Sequence, residues 1–215
     1  MAFSLDDVFS EVGLVLADKA HVRWTETDLK VFAGAGLRAI VAIDPAVTSE
    51  DMTLDLDAGV NQDLPDTVYA LIRVLRNASD GSRISLISRA ALDQNIPQWA
   101  NENLYEPAQI VDHVMIDPKQ LQEFMVFPSN DGTGQIECVV SMRPVVPADN
   151  SEDLDIDDAY QQILVDYVLY RAFTTDSAQP NAQARAAQHF QSFQAAMGIV
   201  EPAKIGASPK STPES

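Results

Sequence analysis

Apolar residues recur at helical spacing in the part of the chain that precedes Asp44. Two helices are predicted there, over 4–17 and after Thr25, each starting at a capping-box pair, Ser4 with Asp7 and Thr25 with Asp28. Asp44-Pro45 ends the second helix, and Trp24 is expected to pack back on it. The apolar faces consist of Leu5, Val8, Phe9, Val12 and Leu16 in the first helix and of Leu29, Phe32, Ala33, Gly36, Leu37, Ile40 and Val41 in the second.

The period of the apolar residues changes to two between Met52 and Pro147. Met52, Leu54 and Leu56 alternate with polar residues, as in a half-buried strand. Residues 130–134 are expected to join the last two strands as a hairpin. Residues 69–78 fit either a strand or a helix, and the strand is favoured because Asp80-Gly81 and the alternating Ile84 and Leu86 follow. Further strands are predicted over 84–86, 110–116, 122–127 and 135–143, with a short helix near 89–95.

Helical spacing returns near Ile156, and acidic residues at the start of this helix favour its dipole. Pro180-Asn181 separates it from a last helix, which is expected to end at Gly198. Its apolar stripe consists of Ile156, Tyr160, Ile163, Leu164, Tyr167, Val168 and Ala172 or Phe173. Residues 198–215 carry few large apolar side chains, so we expect a tail that is flexible or that orders on a partner.

The complete pattern predicts an α+β fold. N- and C-terminal helices, over 1–48 and 148–197, form a helical bundle. An antiparallel β-rich insertion module occupies 49–147, and the tail follows over 198–215.

Charge excludes several classes of function. The 215 residues include 32 Asp and Glu against 14 Lys and Arg, a formal net charge of −18. This excess opposes wrapping of nucleic acid and adsorption to anionic membranes. The N-terminus lacks the basic region of a secretory signal, and no segment approaches the roughly 18 apolar residues of a membrane span. We therefore expect a soluble protein made in a reducing cytoplasm.

Candidate chemical motifs favour structural roles. Gly34-Ala35-Gly36-Leu37-Arg38-Ala39 matches a dinucleotide fingerprint, but it lies within a helical pattern, so helix packing is the better interpretation. The acidic run 149–158 lacks the glycine and the final acid of a calcium-binding EF-hand loop. Cys138 lies in an apolar run typical of a buried thiol. No cofactor, metal site or catalytic residue is predicted.

Four arginines form the local basic concentration of the chain: Arg73, Arg76, Arg83 and Arg89. Pairing with carboxylates, within or between subunits, is favoured over contact with nucleic acid. Asp112, His113 and Asp117 leave a different function open, a small-ligand- or metal-binding enzyme.

The order of elements, with short sequence words inside it, resembles the head-to-tail adaptor (connector) proteins of short-tailed bacteriophages, the group similar to tail tubular protein A. These words lie across most of residues 1–197. They are Arg23-Trp24-Thr25 with Asp28-Leu29, Asp44-Pro45, Gln62-Asp63-Leu64-Pro65, Arg76-Asn77, Pro97-Gln98-Trp99, Asp117-Pro118, Phe127-Pro128, Ile136-Glu137-Cys138-Val139-Val140-Ser141, Asp166-Tyr167-Val168-Leu169-Tyr170-Arg171-Ala172 and His189-Phe190 with Phe193.

The resemblance implies a structural protein of the virion rather than an enzyme. Members form a ring, usually of twelve subunits, at the head-tail interface between the portal protein and the tail nozzle protein, and DNA passes through the channel without specific binding. Another virion ring protein or tail-completion protein with the same bundle is a further alternative.

Three hypotheses follow for the residues of such a ring. Phe190, Phe193, Ile199 and Ile205 of the last helix and tail dock on the portal. Arg73, Arg76, Arg83 and Arg89 face carboxylates of the next subunit. Asp55 and Asp57 lie on a strand that faces the channel or the nozzle.

Overall fold

The computed structural model describes residues 3–176 and 180–205, with side chains up to residue 198. The predicted α+β class is confirmed. Within the described residues the helices are α1 (Leu5–Leu16), α2 (Glu26–Ile43), α3 (Arg89–Asn95), α4 (Gln161–Thr175) and α5 (Ala182–Ile205), with short 3-10 helices at Pro45–Thr48 and Asp158–Tyr160. The strands are β1 (Ser49–Asp55), β2 (Gly59–Asp63), β3 (Val68–Asn77), β4 (Ser85–Leu86), β5 (His113–Ile116), β6 (Glu123–Asn130) and β7 (Gln135–Met142).

The chain divides into two compact units. One contains the residues up to Val47 and those from Pro144 onward, and the other spans Thr48–Arg143. The first unit is helical and the second carries the strands and α3. The chain enters and leaves the β unit once each.

Both predicted capping boxes are present in the helical unit. The hydroxyl groups of Ser4 and Thr25 accept the backbone N–H of Asp7 and Asp28, and each carboxylate accepts the backbone N–H of its cap residue in return. The predicted apolar faces are buried against α4 and α5 in one core. Trp24 packs edge-to-face on Phe32 of α2, with ring centroids 6.1 Å apart.

The prediction that Ile156 belongs to the fourth helix is wrong, because α4 begins only at Gln161. The segment before it is irregular and pairs with the N-terminus: the N–H of Leu154 donates to the carbonyl of Phe3. Leu154 and Ile156 are both buried while their neighbours are exposed. Ile156 therefore follows a period of two and matches the helical stripe only by coincidence.

The predicted end of the last helix at Gly198 is also wrong, since α5 continues to Ile205. A glycine ends a helix by adopting a positive φ angle. Positive φ occurs at Gly59, Gly81 and Gly132 but not at Gly198. The helix thus passes through the glycine, and residues 206–215 lie outside the described residues.

The β unit contains two sheets of the described strands, with orders β1–β7–β3 and β2–β6–β5–β4. β6 and β7 therefore do not form the expected hairpin, and the chain changes sheet between them. The side chain of Asn130 organises this crossing: its amide donates to the carbonyls of Ala108 and Gln109 and accepts the N–H groups of Gly132 and Gly134. The β module is not wholly antiparallel either, because β4 pairs with β5 in parallel.

The single cysteine lies in the core of the β unit, as predicted. Cys138 is fully buried on β7, and burial raises the pKa of its thiol to about 11. The thiol is therefore protonated at neutral pH and is a poor nucleophile.

Candidate interaction surfaces

The glycine motif packs helices, as its helical context predicted. A Cβ atom on Gly36 would lie 2.6 Å from Leu164 Cδ1 of α4. A Cβ atom on Gly34 would lie 2.9 Å from Cγ2 of Val146. Both glycines lie inside α2 rather than between a strand and a helix, so their backbone N–H groups do not face outward toward a phosphate.

The predicted basic concentration lies mainly on one strand. Arg73 and Arg76 are exposed on β3, and Arg83 is the backbone bridge partner of Arg76. Arg76 Nε lies 2.7 Å from Glu137 Oε2 of β7, an ion pair within the subunit. Arg89 stands apart from these three as the first residue of α3.

The predicted acidic strand lies at the opposite edge of the same sheet. Glu50, Asp51 and Asp55 are exposed on β1. Asp55 Oδ1 accepts a hydrogen bond of 2.6 Å from Gln135 Nε2. Asp57 follows the end of β1 rather than lying on the strand. Its backbone N–H donates to Gln62 Oε1 at 2.6 Å.

The aromatic residues of the last helix contact α4. Phe193 is only 2% exposed, and its ring centroid lies 5.2 Å from that of Tyr167. Phe190 is partly buried, 4.8 Å from Tyr170. Ile199 and Ile205 lie on the backbone of α5, and their side chains are outside the described residues.

The family model of the SU10 adaptor protein matches residues 3–213. The chain belongs to this family. SU10 adaptors are structural proteins of a bacteriophage and not normally enzymes, so the resemblance to phage adaptors is confirmed. No curated protein matches the chain. Among the described helices, none is long and apolar enough to span a membrane.

The region of Asp112, His113 and Asp117 does not form a site in which the three side chains converge. Asp117 Oδ1 accepts the backbone N–H of Lys119 at 2.9 Å, whereas the ring of His113 stacks on Phe127. A cavity of about 220 Å³ is lined by Asp117, Arg89 and a mixture of polar and apolar neighbours, but His113 and Asp112 do not line it. Within residues 3–176 and 180–205, no group of three metal-ligating side chains is close enough to hold an ion.

The acidic run 149–158 caps its own backbone. Asp149 Oδ1 accepts the N–H and the hydroxyl of Ser151, and these bonds lower the pKa of its carboxyl. Asp157 Oδ1 accepts the N–H of Ala159 and starts the 3-10 turn. These bonds form turns ahead of α4. The prediction that acidic residues start this helix is wrong, since α4 begins at Gln161 and its first turn carries no acidic residue.

Three sets of polar contacts in the helical unit were not predicted. The carboxylate of Asp18 accepts the backbone N–H groups of Val22, Arg23 and Trp24, each at 2.9 Å. Arg23 Nη2 forms an ion pair with Asp176 Oδ1, whose side chain is 2% exposed. His189 Nδ1 lies 2.8 Å from Asp166 Oδ1, which joins α5 to α4. The sequence offered one signal for these contacts. Arg23, Asp166 and His189 belong to the sequence words that carried the family resemblance.

Proposed function

We propose that this protein is a head-to-tail adaptor whose copies form a ring between the portal and the tail nozzle, with a channel for DNA. The observation that carries the proposal is the family match over residues 3–213. The net charge of −18 supports it, because an acidic channel wall repels phosphate and lets the duplex slide without adhering.

The subunit contact of the ring requires two different, complementary surfaces on each copy. The exposed arginines around β3, namely Arg73, Arg76 and Arg83, supply one surface, and carboxylates of the next copy supply the other. Arg89 was predicted as part of the same basic group, but it is the first residue of α3 and does not lie on β3. Only its positive charge supports including it in this contact.

The portal contact in this proposal is made by the end of α5 and the residues after it. Phe193 holds α5 on α4 from the core, and Phe190 packs on Tyr170 at the margin of that core. The helix then continues by about two turns past Met197, the last buried core residue that is described. Ile199 and Ile205 lie on this extension and are the apolar residues offered to the portal.

The wall of the channel or the face toward the nozzle carries the acidic end of β1 in this proposal. Asp55 and Asp57 are both exposed there. Carboxylates at this position would contribute to the repulsion of phosphate.

The experiment that tests the proposed function is a mass measurement of the full chain, alone and mixed with the portal of the same virion, followed by electron microscopy of the complex. We expect a closed ring of one stoichiometry on the portal, with the last helix toward it. A chain that neither self-associates nor binds the portal contradicts the proposed function.

A further inference from the structure

The three-stranded sheet of the β unit has two outer edges, β1 and β3. Among the described strands, none pairs with the outer side of β1. On β3, the carbonyls of Val68 and Tyr69 accept the amide of Gln122, and Arg76 bridges to Arg83. An open stretch over 70–75 remains, similar in length to the seven residues of β1. Open strand edges pair readily with other chains.

The two edges carry opposite charges. Glu50 and Asp51 are exposed on β1, and their carboxylates accept no hydrogen bond from a described residue. Arg73 is exposed on β3, and its guanidinium donates to no described residue. Since Asp51 and Arg73 both pair with Val139 on the strand between them, they lie on one face of the sheet.

The edges also differ in apolar exposure. Ile72 and Leu75, which are 37% and 36% exposed, lie beside the arginines on β3. An apolar and basic edge in a chain of net charge −18 is suited to an acidic protein surface rather than to DNA, because the whole molecule repels phosphate.

We propose that the β1 edge of one copy pairs with the β3 edge of the next, with Asp51 on the face that carries Arg73 and Arg76 of the neighbouring copy and Glu50 adding negative charge to the same β1 edge. This inference rests on the proposed ring. Symmetric pairing, β1 with β1 or β3 with β3, places like charges opposite each other and is disfavoured. The charge difference thus selects the head-to-tail contact that a ring requires.

The test uses full-length chains with one edge reversed in charge, under the conditions in which the wild type forms its ring, alone or on the portal. Arg73→Glu with Arg76→Glu makes both edges acidic, and Glu50→Arg with Asp51→Arg makes both edges basic. Each variant alone should form at least about tenfold less ring, measured by mass photometry, because all its contacts oppose like charges. Arg73→Glu alone, which keeps the Arg76–Glu137 pair, should show a smaller loss.

An equimolar mixture of the two double variants should restore the ring. Every contact in an alternating ring then joins opposite charges, and restoration also shows that both variants are folded. Lys19→Glu with Lys119→Glu is the matched control for the acidic variant, since it changes the net charge by the same amount at exposed residues outside this sheet and should assemble as the wild type does.

Two results separate the two proposals. If the wild type forms a ring and each double variant alone forms it equally well, the edge pairing is overturned and the ring proposal stands. The same conclusion follows if the wild type forms a ring but an equimolar mixture of the two folded double variants forms none. If the wild type remains monomeric both alone and with the portal, the proposed function fails, and the edge pairing fails with it.

Discussion

A single carboxylate shapes the turn between α1 and α2. The three backbone N–H groups that converge on Asp18 belong to successive residues, Val22, Arg23 and Trp24. Within this turn Ala17 and His21 have φ angles of 55° and 50°, in the left-handed region that L residues seldom adopt. The charged acceptor offsets this backbone strain and places Arg23 toward Asp176 and Trp24 toward Phe32.

We predict that Asp18→Asn lowers the melting temperature at pH 7, because a neutral amide is a weaker acceptor for three N–H groups. The hydrogen bond from Trp24, with those from Val22 and Arg23, lowers the pKa of Asp18 below its ordinary 3.8. A lowered pKa in the folded state stabilises the fold above pH 3.8, and this contribution is lost as the pH falls through the lowered value.

Thermal melts of the wild type and Asp18→Asn at pH 7 and near pH 3 measure this effect. The difference between them should be largest at pH 7 and shrink at acid pH. Asp66→Asn, at an exposed carboxylate without a described hydrogen bond, serves as the control and should melt as the wild type does. A difference for Asp18→Asn that does not depend on pH would contradict the role of its charge.

Some of the sequence words that carried the family resemblance correspond to contacts inside the helical unit. Arg23 and Asp176 are 153 positions apart, and Asp166 and His189 belong to different helices. Local spacing cannot predict such pairs, because only the packed helices bring them together. The capping boxes were predictable since each depends on residues three positions apart.

At the level of the element, α2 and α4 approach closely because Gly36 has no side chain. We predict that Gly36→Ala destabilises the protein, since the new methyl group would meet Leu164 and Tyr167 within 2.6–3.0 Å. Overpacking of a core costs about 1–3 kcal/mol, and alanine returns about 1 kcal/mol of helix propensity. A net loss of about 1 kcal/mol is therefore expected in urea unfolding.

Gly198→Ala is the matched control for this prediction. Gly198 also lies inside a helix, but a Cβ atom there would meet nothing within 4 Å. This variant should be unchanged or more stable by up to about 1 kcal/mol. Equal stability changes in the two alanine variants would show that α2 and α4 have room to separate.

Helices and strands were predictable where residues close in sequence determine them. The predictions failed where pairing between residues distant in sequence determines the structure. The helix α3 was predicted from residues close in sequence, whereas the pattern over β3 fitted a helix as well as a strand. The link between β6 and β7 has the glycines of a hairpin, yet Asn130 uses the N–H groups of Gly132 and Gly134 to turn the chain into the other sheet. The arrangement of strands into two sheets depends on such partners, which periodicity does not encode.

At the level of the whole molecule, the two units supply different candidate surfaces. The β unit has a sheet with one acidic and one basic edge. The helical unit ends in a helix that extends beyond the last described residue of its buried core. The net charge of −18 and the composition do not distinguish these surfaces. The two edges of the sheet differ because the exposed acidic residues lie on β1 and the exposed basic residues lie on β3.

We expect the part of α5 beyond the core to contact the portal. Deletion of residues 198–215 should abolish portal binding and leave the fold intact, because the described buried core of the helical unit extends only to Met197. The melting temperature of this deletion variant should stay within about 2 °C of the wild-type value, which is less than a change of 1 kcal/mol produces in a domain of this size.

A shorter deletion, of residues 206–215, keeps all of α5 and distinguishes the helix from the residues after it. If Ile199 and Ile205 carry the contact, the short deletion binds the portal in a pull-down and the long one does not. Undiminished binding of the long deletion would place the portal contact elsewhere on the molecule.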